Sequence, residues 1–249
     1  MEFNPYSLLN KTILVTGASS GIGRSIAIEC SKMGANVIIT ARNEERLKQT
    51  LLMMQGSEHQ MFVADLVCPE DVEKMVHLFP EIDGIVHNAG MNRRRMCSHV
   101  EDAYLHNILG VNLKAPILLQ KSILKSKKLK FNSSVVFISS MAALRPSIGN
   151  SIYSAAKGGI TSYAQVLALE LAPKRIRVNC IHCGSVWTEI LQNTPLLKEQ
   201  YLEDEKRYPL GRYGQPEDIA YLAIYLLSNA SSWMTGSSLC IDGGGMSLV

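Results

Sequence analysis

The chain has 249 residues, of which 47% are hydrophobic and 19% are charged, and its formal net charge is +3. This composition excludes a disordered, collagenous or coiled-coil protein, and the scattered basic residues argue against a dedicated nucleic-acid or membrane-surface protein. No apolar run approaches the length of a membrane span, and the N-terminal segment around Glu2 lacks the charge and apolar core of a signal peptide. We therefore expect a soluble, cytoplasmic protein whose six cysteines are reduced.

Short apolar, β-branched segments alternate with helical patterns along the whole chain. Strands are predicted at 11–16, 37–40, 61–64, 82–87, 135–139, 176–181 and 238–241. Helices are predicted at 24–33, 43–54, 69–78, 104–124, 153–171 and 216–227. This alternation predicts an α/β protein with a single-domain Rossmann fold, in which a doubly wound parallel sheet of about seven strands has helices on both faces.

The chain shows no repeat and no interdomain linker, so one domain over residues 1–249 is expected. The segment 187–213 has no clear period and contains Pro195 and Pro209, which break any long helix. We expect this segment to close over a substrate, with Leu191, Leu196, Leu197 and Tyr201 as an apolar wall. The alternative is that these side chains only pack the segment onto the core.

A glycine cluster, Gly17-x-x-x-Gly21-x-Gly23, lies between the first predicted strand and the first predicted helix. Glycines there allow a tight turn and a close approach of the backbone to a pyrophosphate at the helix N-terminus. The pattern thus predicts a dinucleotide-binding turn, although an ordinary glycine-rich connection would look similar.

The end of the second strand bears on which dinucleotide is bound. An NAD-binding unit usually carries an acidic residue there, whereas this chain has Ala41 followed by Arg42. A guanidinium can bind a 2′-phosphate through two parallel hydrogen bonds, which favours NADP(H). The hydroxyls of Ser20 and Thr40 are further candidate donors. Alternatively, Arg42 is solvated and Glu44 or Glu45 contacts a ribose.

Tyr153 and Lys157 open the long predicted helix. Their i, i+4 spacing places the phenol and the ammonium on one helix face, where the ammonium is expected to lower the phenol pKa. Such a pair can exchange a proton with a carbonyl or alcohol. Ser140 and Asn88-Ala-Gly90 follow strands at the same expected sheet edge, and Asn112 interrupts a helical pattern with an amide.

These motifs together resemble the short-chain dehydrogenase/reductase family, in its compact single-domain branch. The resemblance rests on Thr16-Gly-Ala-Ser-Ser-Gly-Ile-Gly23, Asn88-Ala-Gly90, Asn112, Ser140 and Tyr153-x-x-x-Lys157 in this order and spacing. It implies that Tyr153 is the acid/base, that Lys157 lowers its pKa and holds the nicotinamide ribose, that Ser140 binds the substrate oxygen and that Asn112 holds a relay water. The cofactor-binding residues that it implies are Gly17, Ser19, Ser20, Gly21, Ile22, Gly23, Arg42, Asp65, Leu66, Asn88, Ala89, Gly90, Tyr153, Lys157, Gly184, Val186 and Thr188.

The resemblance implies an NADP(H)-dependent oxidoreductase acting on a ketone or secondary alcohol. The chain is similar in length and motifs to 3-oxoacyl-carrier-protein reductases, so a carrier-bound 3-oxoacyl thioester is one candidate substrate, and a sugar, polyol or steroid carbonyl is another. The substrate is expected between 140–151, 93–96 and 187–213. A non-catalytic dinucleotide sensor would not need Tyr153, Lys157 and Ser140, and a sugar-nucleotide epimerase of the longer branch would have a different glycine spacing.

Two further features qualify the resemblance. The family usually has Pro-Gly where this chain has Cys183-Gly184, which creates a Cys180-x-x-Cys183 pair. Without a second ligand pair we interpret these cysteines as buried thiols and expect no metal site. Gly158-Gly159 in the long helix permits the close approach of another element, and the family commonly pairs such helices between subunits, so a homodimer or homotetramer is expected.

Overall fold

The computed structural model describes residues 4–145, 147–188 and 198–245. The strands within these ranges are β1 (Thr12–Thr16), β2 (Asn36–Ala41), β3 (Gln60–Val63), β4 (Ile82–His87), β5 (Leu129–Ser140), β6 (Arg177–Cys183) and β7 (Ser238–Ile241). The α-helices are α1 (Gly21–Lys32), α2 (Glu44–Met53), α3 (Pro69–Leu78), α4 (Asp102–Leu109), α5 (Ala115–Lys125), α6 (Ser151–Leu171), α7 (Lys198–Glu205) and α8 (Pro216–Leu227).

The strands form one parallel sheet in the order β3-β2-β1-β4-β5-β6-β7. The chain reverses its direction of travel across the sheet between β1 and β4, and ligands of such sheets bind at the carboxyl ends of the strands beside this point. The predicted α/β fold, with seven strands and helices on both faces, is confirmed.

Each face of the sheet covers its own hydrophobic core. Successive strand residues point to opposite faces, so Ile13 of β1 lies in the core with α1 and α8, whereas Leu14 lies in the core with α3, α5 and α6. Both side chains are completely buried. Burying such a side chain stabilises the fold by roughly 1.5–3 kcal/mol, which explains why these strands are apolar throughout.

Two helical segments differ from the sequence prediction. The helix predicted over 104–124 is divided by one π-helical turn at Gly110–Lys114, which contains Asn112. The segment predicted to be irregular contains α7. Among the described residues, no helix has the length and apolar character needed to cross a membrane.

Candidate active site

The glycine turn between β1 and α1 depends on the absence of side chains. Gly17 and Gly21 have φ angles of +65° and +52°, a region that glycine enters without strain. A Cβ on Gly23 would lie 2.4 Å from both the Asn88 Nδ2 atom and the Gly17 carbonyl oxygen. The absence of a side chain at Gly23 therefore leaves space for the Asn88 amide and the Gly17 carbonyl oxygen.

Hydrogen bonds join this turn to the end of β4. The backbone N–H groups of Asn88 and Ala89 each donate to Thr16 Oγ1 at 3.0 Å. The Asn88 side chain donates to the carbonyl oxygens of Thr16 and Gly17 at 3.0 and 3.3 Å. The amide of Asn88 thus holds two strand ends together at the point where the sheet order reverses.

A cavity of about 560 Å³, which we call the glycine-turn cavity, opens at this edge of the sheet. Twelve of the predicted cofactor-binding residues line it: Gly17, Ser19, Ser20, Gly21, Ile22, Arg42, Asp65, Leu66, Asn88, Ala89, Gly90 and Thr188. Asn43, Arg46 and Val67 also line it and were missed by the sequence analysis. Arg46 lies one helical turn after Arg42, and this spacing of two basic residues was the available signal.

Thr40 does not contribute to this cavity as expected. Its side chain is completely buried, and its Oγ1 atom has no hydrogen-bond partner among the residues that the structure describes. The backbone carbonyl of Thr40 instead accepts from the N–H groups of Gly17 and Ala18 at 2.8 and 3.3 Å. The backbone of Thr40 therefore stabilises the glycine turn through these two hydrogen bonds. The prediction that the Thr40 hydroxyl would donate to a ligand was wrong.

A second cavity of about 900 Å³, which we call the Tyr153 cavity, adjoins the first. The two share Ile22, Gly90, Met91 and Thr188. Predicted residues that line only the second are Ser140, Tyr153, Lys157, Gly184 and Val186. Three of the four predicted catalytic residues, Ser140, Tyr153 and Lys157, thus line the cavity that adjoins the glycine-turn cavity. Of the predicted substrate segments, Arg94 lines the Tyr153 cavity, whereas Arg95 and Met96 line a separate groove.

Burial shifts the pKa values of Tyr153 and Lys157 in opposite directions. It raises the pKa of Tyr153 to about 12, against the opposing effect of a hydrogen bond with Ser140. It lowers the pKa of Lys157 to about 8. The Lys157 Nζ atom donates to the Ile138 carbonyl oxygen at 2.9 Å and lies 5.7 Å from the centre of the Tyr153 ring. The phenol pKa is therefore raised and not lowered as predicted, because desolvation outweighs the hydrogen bond with Ser140.

Asn112 lies behind the cavity wall and is almost completely buried. Its Nδ2 atom donates to the Met91 carbonyl oxygen at 2.8 Å, and its Oδ1 atom accepts from the Met91 N–H at 3.2 Å. A Cβ on Gly90 would lie 2.8 Å from Asn112 Oδ1 and 3.5 Å from Lys157 Nζ. Glycine at position 90 therefore keeps a gap open between the amide and the ammonium.

The two cysteines of β6 are free and buried. Burial raises the pKa of both Cys180 and Cys183 to about 12, so the protonated thiol is the form present near neutral pH. Cys183 lines the Tyr153 cavity as an apolar wall residue.

An aromatic cluster lies between the end of β6 and α7. The indole Nε1 of Trp187 donates to Glu205 Oε1 at 2.7 Å, and the ring of Tyr201 lies 5.6 Å from that of Trp187. Tyr201 is buried in this cluster and does not line the Tyr153 cavity. For Tyr201 the packing alternative is therefore favoured over a role as substrate wall. The other three candidate wall residues, Leu191, Leu196 and Leu197, lie outside the described residues.

Comparison with known proteins identifies the family. The family model described as "Enoyl-(Acyl carrier protein) reductase" matches residues 17–246. The 3-oxoacyl-[acyl-carrier-protein] reductase FabG of Chlamydia muridarum is 36% identical over 245 residues, which cover 95% of this chain and 98% of the relative. The chain belongs to the short-chain dehydrogenase/reductase family.

Solved structures of this family superpose closely. A short-chain dehydrogenase/reductase from Brucella melitensis, described as a glucose/ribitol dehydrogenase, has a TM-score of 0.89 and 35% identity over 95% of this chain and 96% of its own. A putative NAD(P)-dependent gluconate 5-dehydrogenase from Beutenbergia cavernae, solved with bound NADP, has a TM-score of 0.88 and 29% identity over 98% of this chain and its full length. The resemblance stated from the sequence motifs is confirmed.

Proposed function

We propose that this short-chain dehydrogenase/reductase is an NADP(H)-dependent ketoreductase. The observation that carries the proposal is the junction of the two cavities. The glycine-turn cavity offers backbone and guanidinium groups to a dinucleotide, and the Tyr153 cavity presents the hydroxyls of Ser140 and Tyr153 beside that junction. The similarity to FabG and to a structure with bound NADP supports the same activity.

The residues of the glycine-turn cavity fit NADP(H). The positive φ angles of Gly17 and Gly21 expose backbone to a pyrophosphate at the N-terminus of α1. At the end of β2, Arg42 and Arg46 line the cavity where an NAD-binding unit would carry an acid, and either guanidinium can bind a 2′-phosphate. Asp65 and Leu66 line the same cavity, and the family resemblance implies that they contact the adenine. When bound, the reduced nicotinamide supplies the hydride.

The protein's own part in the reaction is to bind the carbonyl oxygen and deliver a proton. With a pKa of about 12, the phenol of Tyr153 is protonated near neutral pH and is ready to donate to an oxygen that gains negative charge. Ser140 donates a second hydrogen bond to the same oxygen. The Lys157 ammonium stabilises the phenolate left after proton transfer, and its low pKa lets it pass a proton onward.

Two hydroxyl groups that converge on one oxygen fit the reduction of a carbonyl. This chemistry matches the 3-oxoacyl reductase names of the relatives better than the enoyl reductase name of the family model, because reduction of an enoyl group does not convert its carbonyl oxygen to an alcohol. We therefore favour a ketone substrate, with a 3-oxoacyl thioester as one candidate and a sugar or polyol ketone as the other.

The test replaces Tyr153 by Phe and follows NADPH absorbance over a panel of ketones. Tyr153→Phe should lose nearly all turnover while NADPH binding, measured by fluorescence titration, remains. The matched control is Tyr221→Phe, which removes a hydroxyl from an exposed residue that lines neither cavity. Turnover in Tyr153→Phe close to that of the control would refute the acid role.

We make two further proposals, which concern the oligomeric state and the cellular location. We infer a symmetric dimer or tetramer, because α6 exposes Val166 and Leu169 and the last third of the chain exposes Tyr221 and Trp233. We also infer a reducing, cytoplasmic location, because all six cysteines are free thiols.

A further inference from the structure

The Tyr153 cavity carries more positive charge than carbonyl reduction requires. Four cationic side chains line it, namely Lys157, Arg94, Arg145 and Arg207, against two carboxylates, Asp204 and Asp242. Only Lys157 has a part in the proposed proton transfer. The three arginines are exposed and come from three separate segments, the loop after β4, the loop after β5 and the turn after α7.

The two carboxylates already have other partners. Asp204 Oδ2 accepts from the hydroxyl of Tyr213 at 2.5 Å, and Asp242 Oδ1 accepts from the N–H of Gly244 at 3.1 Å. These neutral donors leave the carboxylates charged, but four cationic side chains against two carboxylates still give the lining a net positive charge.

Two arginines that do not line this cavity form ion pairs with acids. Arg212 forms hydrogen bonds to both oxygens of Asp218 at 2.7 and 3.1 Å, and Arg95 lies 3.3 Å from Glu101. Within residues 4–145, 147–188 and 198–245, none of Arg94, Arg145 and Arg207 forms an ion pair with a carboxylate, although the charge of Arg207 lowers the pKa of Glu203. Arg145 donates one N–H to the carbonyl oxygen of Gly245, which leaves its other donors free.

The wall that carries Arg94 is held in place by hydrogen bonds. The Arg95 N–H donates to the Gly149 carbonyl oxygen at 2.8 Å, and Asn92 Nδ2 donates to Asn150 Oδ1 at 3.1 Å. These bonds join the loop after β4 to the loop before α6 along the side of the cavity. An ordered polar wall binds a polar substrate without a further loss of loop entropy.

We propose that the substrate carries an oxyanion, a carboxylate or a phosphate, in addition to its carbonyl, and that Arg94, Arg145 and Arg207 bind this group. A guanidinium matches both oxyanions through paired, charge-assisted hydrogen bonds. The three guanidiniums also attract anions into the cavity, and this attraction weakens as salt is added. The proposal rests on the ketoreductase function and names the substrate class for the same site.

The experiment compares matched substrates that differ in charge. Oxo acids of increasing chain length are assayed with NADPH beside their methyl esters, and dihydroxyacetone phosphate is assayed beside dihydroxyacetone. The first set tests a carboxylate and the second a phosphate. We expect the anionic member of one set to have the lower KM, and this KM to rise with added sodium chloride while the KM of the neutral member stays constant.

Single replacements then assign the preference to the arginines. Arg94→Gln, Arg145→Gln and Arg207→Gln should each raise the KM of the preferred anion by about 10-fold, the effect expected for a lost charge-assisted hydrogen bond. The KM of the neutral partner should not change. The matched control is Arg175→Gln, which removes the same charge from an exposed residue that lies outside the predicted substrate segments and does not line the cavity. Circular dichroism confirms folding of each variant.

The outcomes separate this inference from the function on which it rests. If neutral ketones are reduced as well as the anionic ones and the three variants match Arg175→Gln, the ketoreductase stands and the anion-binding inference is overturned. If no ketone of either charge is reduced, the proposed function fails and the inference fails with it.

Discussion

Replacing Lys157 by Met should make the protein more stable near neutral pH while it removes activity. Lys157 is only 5% exposed, and burial lowers its pKa from 10.5 to about 8. The folded state therefore holds a charged amine in surroundings that disfavour it. Methionine has a similar length, carries no charge and adapts to irregular apolar space.

The size of the effect follows from the pKa difference. A change from 10.5 to about 8 corresponds to about 3 kcal/mol of destabilisation of the folded state when the amine is charged in both states. The variant also loses the hydrogen bond from Nζ to the Ile138 carbonyl oxygen, which costs about 1 kcal/mol. The expected net gain near neutral pH is about 2 kcal/mol.

The direction in which the free energy of unfolding changes with pH follows from proton binding. Above about pH 8 the folded protein releases the Lys157 proton, whereas the unfolded chain keeps it up to about pH 10.5. The unfolded state then binds more protons, so the contribution of this lysine to wild-type stability rises through that interval. The advantage of Lys157→Met should shrink by about 2 kcal/mol between pH 7 and pH 9.5.

Urea unfolding near these two pH values measures the difference. Lys174→Met serves as the control, because it replaces an exposed lysine. The reasoning would be refuted if Lys157→Met were destabilised by the same amount at both pH values, since the variant would then lose packing without relieving a buried charge. Loss of NADPH-dependent turnover in the stabilised variant would show that the buried amine serves activity rather than folding.

Three further outcomes are expected. Ala41→Asp combined with Arg42→Ala should reverse a preference for NADPH over NADH, and equal use of both cofactors by the unmutated protein would contradict the role of Arg42. Gly23→Ala should lower the melting temperature and weaken NADPH binding because its Cβ meets atoms at 2.4 Å, whereas Gly158→Ala, whose Cβ meets nothing within 4 Å in the same chain, should leave NADPH binding unchanged. Light scattering should give a mass at least twice the 27.5 kDa of one chain.

Local signals were sufficient for several elements of the fold. The bounds of α3, β4, α8 and β7 were predicted to the residue. Proline at the first position of α3 and α8 marks where each helix begins, and continuous apolar runs mark the buried strands. The motif residues that follow β1 and β4 could be placed at one sheet edge, because parallel strands bring their carboxyl ends together.

The features that sequence analysis missed depend on contacts between distant segments. The π-helical turn places the Asn112 side-chain amide against the backbone N–H and carbonyl of Met91. No local sequence pattern predicts these two hydrogen bonds. The polar helix α7 is held by Trp187 and Tyr213 through Glu205, which accepts from the Trp187 indole and from the Tyr213 N–H. An i, i+4 pattern gave the proximity of Tyr153 and Lys157 but not the depth of their burial.

That depth matters for how the site can work. A solvated Tyr–Lys pair would keep pKa values near 10 and 10.5 and would hold a proton on both groups near neutral pH. Burial moves the two values apart, to about 12 for Tyr153 and about 8 for Lys157. The phenol then remains protonated until a substrate oxygen takes the proton, while the amine lies close enough to neutral pH to exchange protons with solvent. The same apolar surroundings that destabilise the lysine therefore divide the roles of proton donor and proton relay between the two residues.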